Sequence, residues 1–157
     1  MRLTRRRFVT HLLPGTALAL ALPPAKASAA ASFVHGVASG DPGATGVLLW
    51  TRVTPRFGKE TEVAWELAAD PEFERILRKG TTAALPERDY TVKVEVEGLE
   101  PGRDYFYRFH ALGAVSRTGR TLTLPVGPVE RFVLAACSCS NYPAGYFNAY
   151  RAMAQTD

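Results

Sequence analysis

The chain has 157 residues, 46% of them hydrophobic and 22% charged, a composition typical of a globular domain and unlike a disordered or fibrous chain. Its formal charge of +4 comes from one end: residues 1–31 carry Arg2, Arg5, Arg6, Arg7 and Lys26 with no acid, leaving 14 basic against 15 acidic residues from Ser32 onward. A nucleic-acid partner needs basic side chains concentrated on the folded part, so that class is excluded, and two cysteines close together, Cys137 and Cys139, exclude a scaffold stapled by several disulfides.

Residues 1–31 read as a signal peptide. Thr4, Arg5, Arg6, Arg7, Phe8 and Val9 precede an apolar stretch from Leu12 to Leu22, well short of the ~20 apolar residues that cross a bilayer, so no stable membrane span is expected. Ala25, Ala27, Ala29 and Ala31 offer several A-x-A cleavage sites. The paired arginines resemble a twin-arginine export signal, with Pro14, Gly15 and Thr16 diluting the apolar stretch and Thr10 standing where that pattern often has Lys. A general secretory signal with a basic start is the alternative. On the twin-arginine reading the partner is the twin-arginine export machinery, and the destination is periplasmic, cell-wall-associated or secreted.

Residues 32–127 read as one β domain. Val47, Leu49 and Thr51 alternate with Leu48, Trp50 and Arg52, and Val63, Trp65 and Leu67 with Ala64 and Glu66. In Tyr90 to Glu97 the residues Val92, Val94 and Val96 face inward, with Lys93, Glu95 and Glu97 in water. Turn chemistry separates these runs: Ser39 to Gly43, Pro55 with Gly58, Asp70 with Pro71, and Pro101 with Gly102. About seven short strands fit, which predicts a two-sheet sandwich of immunoglobulin or fibronectin type III character. Leu99, Pro101, Gly102 and Tyr105 spell Leu-x-Pro-Gly-x-x-Tyr, similar to a fibronectin tyrosine corner, and make Tyr105 structural. Trp50 and Trp65 are expected in the core.

After Pro125, Gly127 and Pro128 the pattern changes. Phe132, Val133, Leu134, Ala135 and Ala136 form the continuous apolar run of a strand buried on both faces, and Phe147, Tyr150, Met153 and Ala154 lie at helical spacing in a segment predicted to open near Pro143 and Ala144. Residues 128–157 therefore read as the first β-α unit of a second, truncated α/β domain. One strand and one helix cannot cover each other's apolar faces. Between them stand Cys137, Ser138, Cys139, Ser140 and Asn141.

An ordered set of motifs now carries a family likeness. Val37 to Pro42, Leu49 to Arg52, Leu99 to Tyr107, Ser116 with Gly119 and Arg120, Cys139 to Tyr142, and Gly145 to Tyr150 together resemble the alkaline phosphatase D (PhoD-like) family. The resemblance implies a β-sandwich N-terminal domain followed by a calcineurin-like metallophosphoesterase domain. It also implies export by the twin-arginine route and hydrolysis of small phosphomonoesters and phosphodiesters with iron and calcium. Within it, Cys139, with Ser138 before and Tyr142 after, matches the family's cysteine ligand to iron. A thiolate at a strand end beside a helix start suits that role, against the alternative of a small buried residue.

Nothing else in the chain carries a family role. Cys137, two residues from Cys139 and on the same strand face, raises a Cys-x-Cys metal site or a short disulfide, yet a structural zinc wants four ligands and the histidines after the leader, His35 and His110, are distant in sequence; Cys137 is read as packing. Asn141 could orient a phosphate or start the following helix. Gly40 and Asp41 are read as a hairpin turn, because Pro42 follows. A multinuclear phosphoesterase needs several carboxylates and histidines, and the family's Gly-Asp-x-x-Tyr, Asn and His ligands would fall beyond Asp157. No catalytic residue is therefore expected in this chain, which alone is expected to be inactive and to hold no metal stably. The alternative is an exported fibronectin-like binding module without enzymatic activity.

Overall fold

A computed structural model describes residues 32–55, 58–141 and 143–156; the expected signal peptide lies outside them. Eight strands form two antiparallel sheets. The first contains β1 (Val37–Gly40), β2 (Gly46–Arg52) and β5 (Thr91–Glu97) in the order β1-β2-β5. The second contains β3 (Thr61–Ala68), β4 (Ile76–Ala84), β6 (Asp104–Ala111), β7 (Ala114–Val115) and β8 (Gly119–Leu122), in the order β4-β3-β6 with both β7 and β8 on β6. Because β7 and β8 follow one another along the same side of β6, they act as one interrupted edge strand. The result is a three-on-four sandwich, mainly β as predicted.

The interruption has a local cause. His110 pairs with Val115 but Tyr107 pairs with Gly119, so one extra residue is accommodated between the two registers. At that point Ser116 substitutes for the ladder: its Oγ accepts from the Phe109 amide at 2.9 Å and donates to the Arg117 carbonyl at 2.8 Å.

The period-two pattern sets the core. In β2 the residues Val47, Leu49 and Thr51 are buried, and Val92 and Val96 of the neighbouring β5 join them on the same face of the first sheet; Tyr105, Tyr107, Phe109 and Ala111 of β6 are the buried residues of the facing sheet. Each such aliphatic or aromatic side chain contributes about 1.5–3 kcal/mol by leaving water. The same alternation corrects one expectation: Trp50, between Leu49 and Thr51, sits on the outer face, half-buried, opposite Ala38 and Lys93. Trp65 packs against the core at its edge, over Gly80, where a Cβ would meet the indole at 3.0 Å. Tyr107 lies over Gly119 in the same way. Burial pushes the Tyr107 phenol above its ordinary pKa, with a Ser39 hydrogen bond pulling the other way.

The predicted tyrosine corner is present. The Tyr105 hydroxyl accepts from the Glu100 amide at 2.8 Å and donates to the Glu100 carbonyl at 3.2 Å, and Gly102 takes the left-handed φ of +62° that the turn requires. Thr123, fully buried, locks the corner from the other side: its Oγ1 accepts from the Arg103 amide at 3.0 Å and donates to the Glu100 carbonyl at 2.7 Å. Beside the same corner Arg78 of β4 donates to the carbonyls of Glu97 and Gly98 at 3.3 and 2.6 Å, tying the second sheet to the end of β5.

Residues beyond Leu124 differ from the expectation in one respect. The helix α1 (Asn148–Ala154) forms, four residues later than Ala144, but Phe132 to Ala136 are not a strand and are exposed, Phe132 at 72% and Leu134 at 76%. A run suited to burial on both faces needs a strand on at least one side, and the described residues provide none to it.

Candidate functional site

Cys139 is exposed and adopts a left-handed φ of +58°, so the backbone bends sharply there. Cys137 is exposed as well, which corrects its reading as a packing residue; with no strand formed at 132–136, the described residues provide no sheet to cover it. After the bend the chain is tied to the helix. Ser140 Oγ hydrogen-bonds the Tyr150 hydroxyl of α1, and Phe147 and Tyr150 pack with ring centroids 5.6 Å apart. Asn141 does not cap that helix: its carbonyl accepts from the Ala144 amide at 3.2 Å in a turn, and the residue before α1 is Phe147. Tyr142 lies outside the described residues.

This arrangement is not a complete metal centre. No group of three or more His, Cys, Asp or Glu side chains among the described residues could hold a metal ion. Donor chemistry at Cys139 suits iron or zinc, but a single thiol without two further ligands grouped around it among the described residues does not fit a bound ion. Gly40 and Asp41 stand where β1 ends and the β1–β2 turn begins, Asp41 at φ +45°.

Two polar clusters that sequence reasoning missed sit on the sandwich. On the outer face of the second sheet, Arg108 donates from Nε to Glu66 Oε2 at 2.9 Å while its guanidinium lies 3.9 Å above the Phe73 ring. His110 Nε2 stands 3.3 Å from the same oxygen, near enough for attraction but outside hydrogen-bonding alignment. Burial alone would raise the Glu66 carboxyl; the Arg108 bond and the nearby His110 outweigh it and hold its pKa below the ordinary value. A carboxylate depressed on folding stabilises the native state above its unfolded pKa and loses that contribution as the pH falls through the folded one. Glu66→Gln is therefore expected to lower the urea midpoint at pH 7 and to make progressively less difference below about pH 4; a difference independent of pH would show that the charge is not what matters.

The second cluster joins the N-terminal segment to β2. Arg52 donates to Asp89 Oδ2 from Nε at 3.0 Å and to Oδ1 from Nη2 at 2.7 Å, and from Nη1 to His35 Nε2 at 2.6 Å. A hydrogen bond from Arg52 holds the Asp89 carboxyl below its ordinary range. Strand spacing alone could not have found this cluster, because its members lie 17 and 37 residues apart.

A sandwich with this exposed cysteine segment behind it matches known proteins in both sequence and structure. Alkaline phosphatase D of Bacillus subtilis (strain 168) is 42% identical over 132 residues, covering 78% of this chain and 23% of that protein. A solved structure of PhoD superposes with a TM-score of 0.77 at 40% identity, covering 81% of this chain and 26% of that one. The chain thus spans about a quarter of the length of these relatives. The family model described as PhoD-like phosphatase, N-terminal domain, matches residues 17–125, from within the expected signal peptide to the proline that follows the Thr123 lock, and the chain belongs to that family.

Proposed function

We propose that this chain is the N-terminal part of an exported alkaline phosphatase or phosphodiesterase that hydrolyses small phosphate esters. The observation that carries the reading is the 42% identity to alkaline phosphatase D, over a stretch that makes up only 23% of that enzyme. On this reading the sandwich does no chemistry. Residues 128–157 begin a metallophosphoesterase domain, and Phe132 to Ala136 become a buried strand once neighbouring strands are supplied. Cys139 would then be one ligand of an iron centre whose other ligands, with calcium, come from sequence beyond Asp157. Arg5 and Arg6 direct export by the twin-arginine route.

Phosphatase activity measured in three arms tests this. The purified 157-residue chain is expected to leave p-nitrophenyl phosphate intact, and turnover that depends on Cys139 would overturn the assignment of the chemistry to sequence beyond Asp157. In a protein whose reading frame continues past Asp157, Cys139→Ser is expected to lower turnover at least tenfold, with export unaffected. Replacing Arg5 and Arg6 by Lys is expected to leave the enzyme active but retained in the cell.

A further inference from the structure

The strongest unassigned feature is a cleft of about 700 Å³ where the N-terminal segment meets the interrupted edge strand. Its apolar walls are Phe33, Val34 and Val115, and its polar groups are His35, Ser116 and Arg117. The volume is that of a small-molecule site. Phe33 is buried and forms part of the core, while Val34 and Val115 present apolar surface to solvent.

The charge of the cleft is one-sided. Among the described residues no carboxylate lines it. Asp89 neutralises Arg52 nearby, but Arg117 makes no ion pair among the described residues. The neighbouring polar groups are fixed in advance. Ser116 Oγ is occupied by Phe109 and Arg117 backbone atoms. The His35 ring is held by Arg52 through Nε2 at 2.6 Å. An uncompensated guanidinium beside apolar walls favours a ligand with an anionic head and an apolar body, since the head gains charge-assisted hydrogen bonds and the body leaves water.

We propose that this cleft binds a small organic anion, a phosphonate, phosphate or carboxylate attached to an apolar group, with Arg117 taking the head and Phe33, Val34 and Val115 the body. Cys139 is not among the residues that line it.

Amide chemical-shift mapping on the 157-residue chain tests it, with benzylphosphonate as the probe and methylphosphonate and benzyl alcohol as its separate halves at matched ionic strength. Benzylphosphonate is expected to give saturable shifts centred on Val34, Val115, Ser116 and Arg117, with each half binding at least tenfold more weakly. Arg117→Ala, at an exposed residue, is expected to weaken binding about tenfold with an unchanged circular dichroism spectrum. Shifts that never saturate, or an affinity unaltered in Arg117→Ala, would overturn the proposal. So would shifts of these residues that follow protein concentration without the probe, which would assign the cleft to a second copy of the chain. A chelator should change nothing, so failure here and failure of the phosphatase reading are separately visible.

Discussion

Gly119→Ala is expected to destabilise the domain by about 3 kcal/mol, the upper end of what overpacking does in a filled core. The added methyl would lie 2.2 Å from Cζ and 2.5 Å from Cε1 of Tyr107, a ring that is 2% exposed and wedged between the sheets. It also meets Phe109 edge-on, with centroids 6.1 Å apart. The ring has nowhere to go. Gly113→Ala gives the contrast, because nothing lies within 4 Å of its Cβ position and only its φ of +73° is at stake, a strain of about 1–2 kcal/mol. Chemical denaturation should therefore rank Gly119→Ala well below Gly113→Ala in stability. In a Tyr107→Ala background the Gly119 substitution should become nearly neutral, and that non-additivity identifies the clash. Equal effects of Gly119→Ala with and without the Tyr107 ring would refute the account.

Thr123→Val is expected to have the next largest effect, about 2–3 kcal/mol, although it keeps the shape of the side chain. The hydroxyl is fully buried and serves the Arg103 amide and the Glu100 carbonyl together; without it the amide is left without that partner in a place water does not reach. Tyr105→Phe removes a hydroxyl that bonds the same residue, Glu100, from the opposite side, and about 1–2 kcal/mol is expected. Because both hydroxyls converge on Glu100, the double substitution should depart from the sum of the two. Urea midpoints with unchanged m-values measure all three; strict additivity would mean that the two locks work independently.

The sandwich was readable where one face is apolar and the other polar. β5 and β6 are the clearest cases, since Lys93, Glu95 and Glu97 mark the wet side as plainly as Val92 and Val96 mark the dry one. Strand β8 was harder to read, because its inward residues are Gly119 and Thr121, continued by Thr123, and hydrophobic alternation has no apolar residue to register there. The size of Trp50 suggests the core, but its position between two inward residues decides its face. The run from Phe132 to Ala136 shows the limit of pattern reading: an apolar stretch states a preference for burial, but only neighbouring strands can satisfy it. The candidate site suffers most from this, since Cys139 stands out only through a resemblance and no group of three or more metal-binding side chains forms among the described residues. The Glu66–Arg108–His110 cluster joins β3 to β6, and the His35–Arg52–Asp89 cluster joins β2 to two residues outside the strands, so neither carries a local signature.

Leu124 is held by two backbone bonds, donating to the Gly43 carbonyl at 2.9 Å and accepting from the Gly102 amide at 3.1 Å. Pro125, next in the chain, lies 3.5 Å from where a Cβ on Gly102 would stand. The polypeptide thus leaves the sandwich through a riveted collar formed by two turns, with a proline limiting the first free torsion. Its heading on departure is set by the sandwich. Loosening the collar at Gly102 or Thr123 would release the first residues after Leu124 from that fixed exit even where the sheets stay intact.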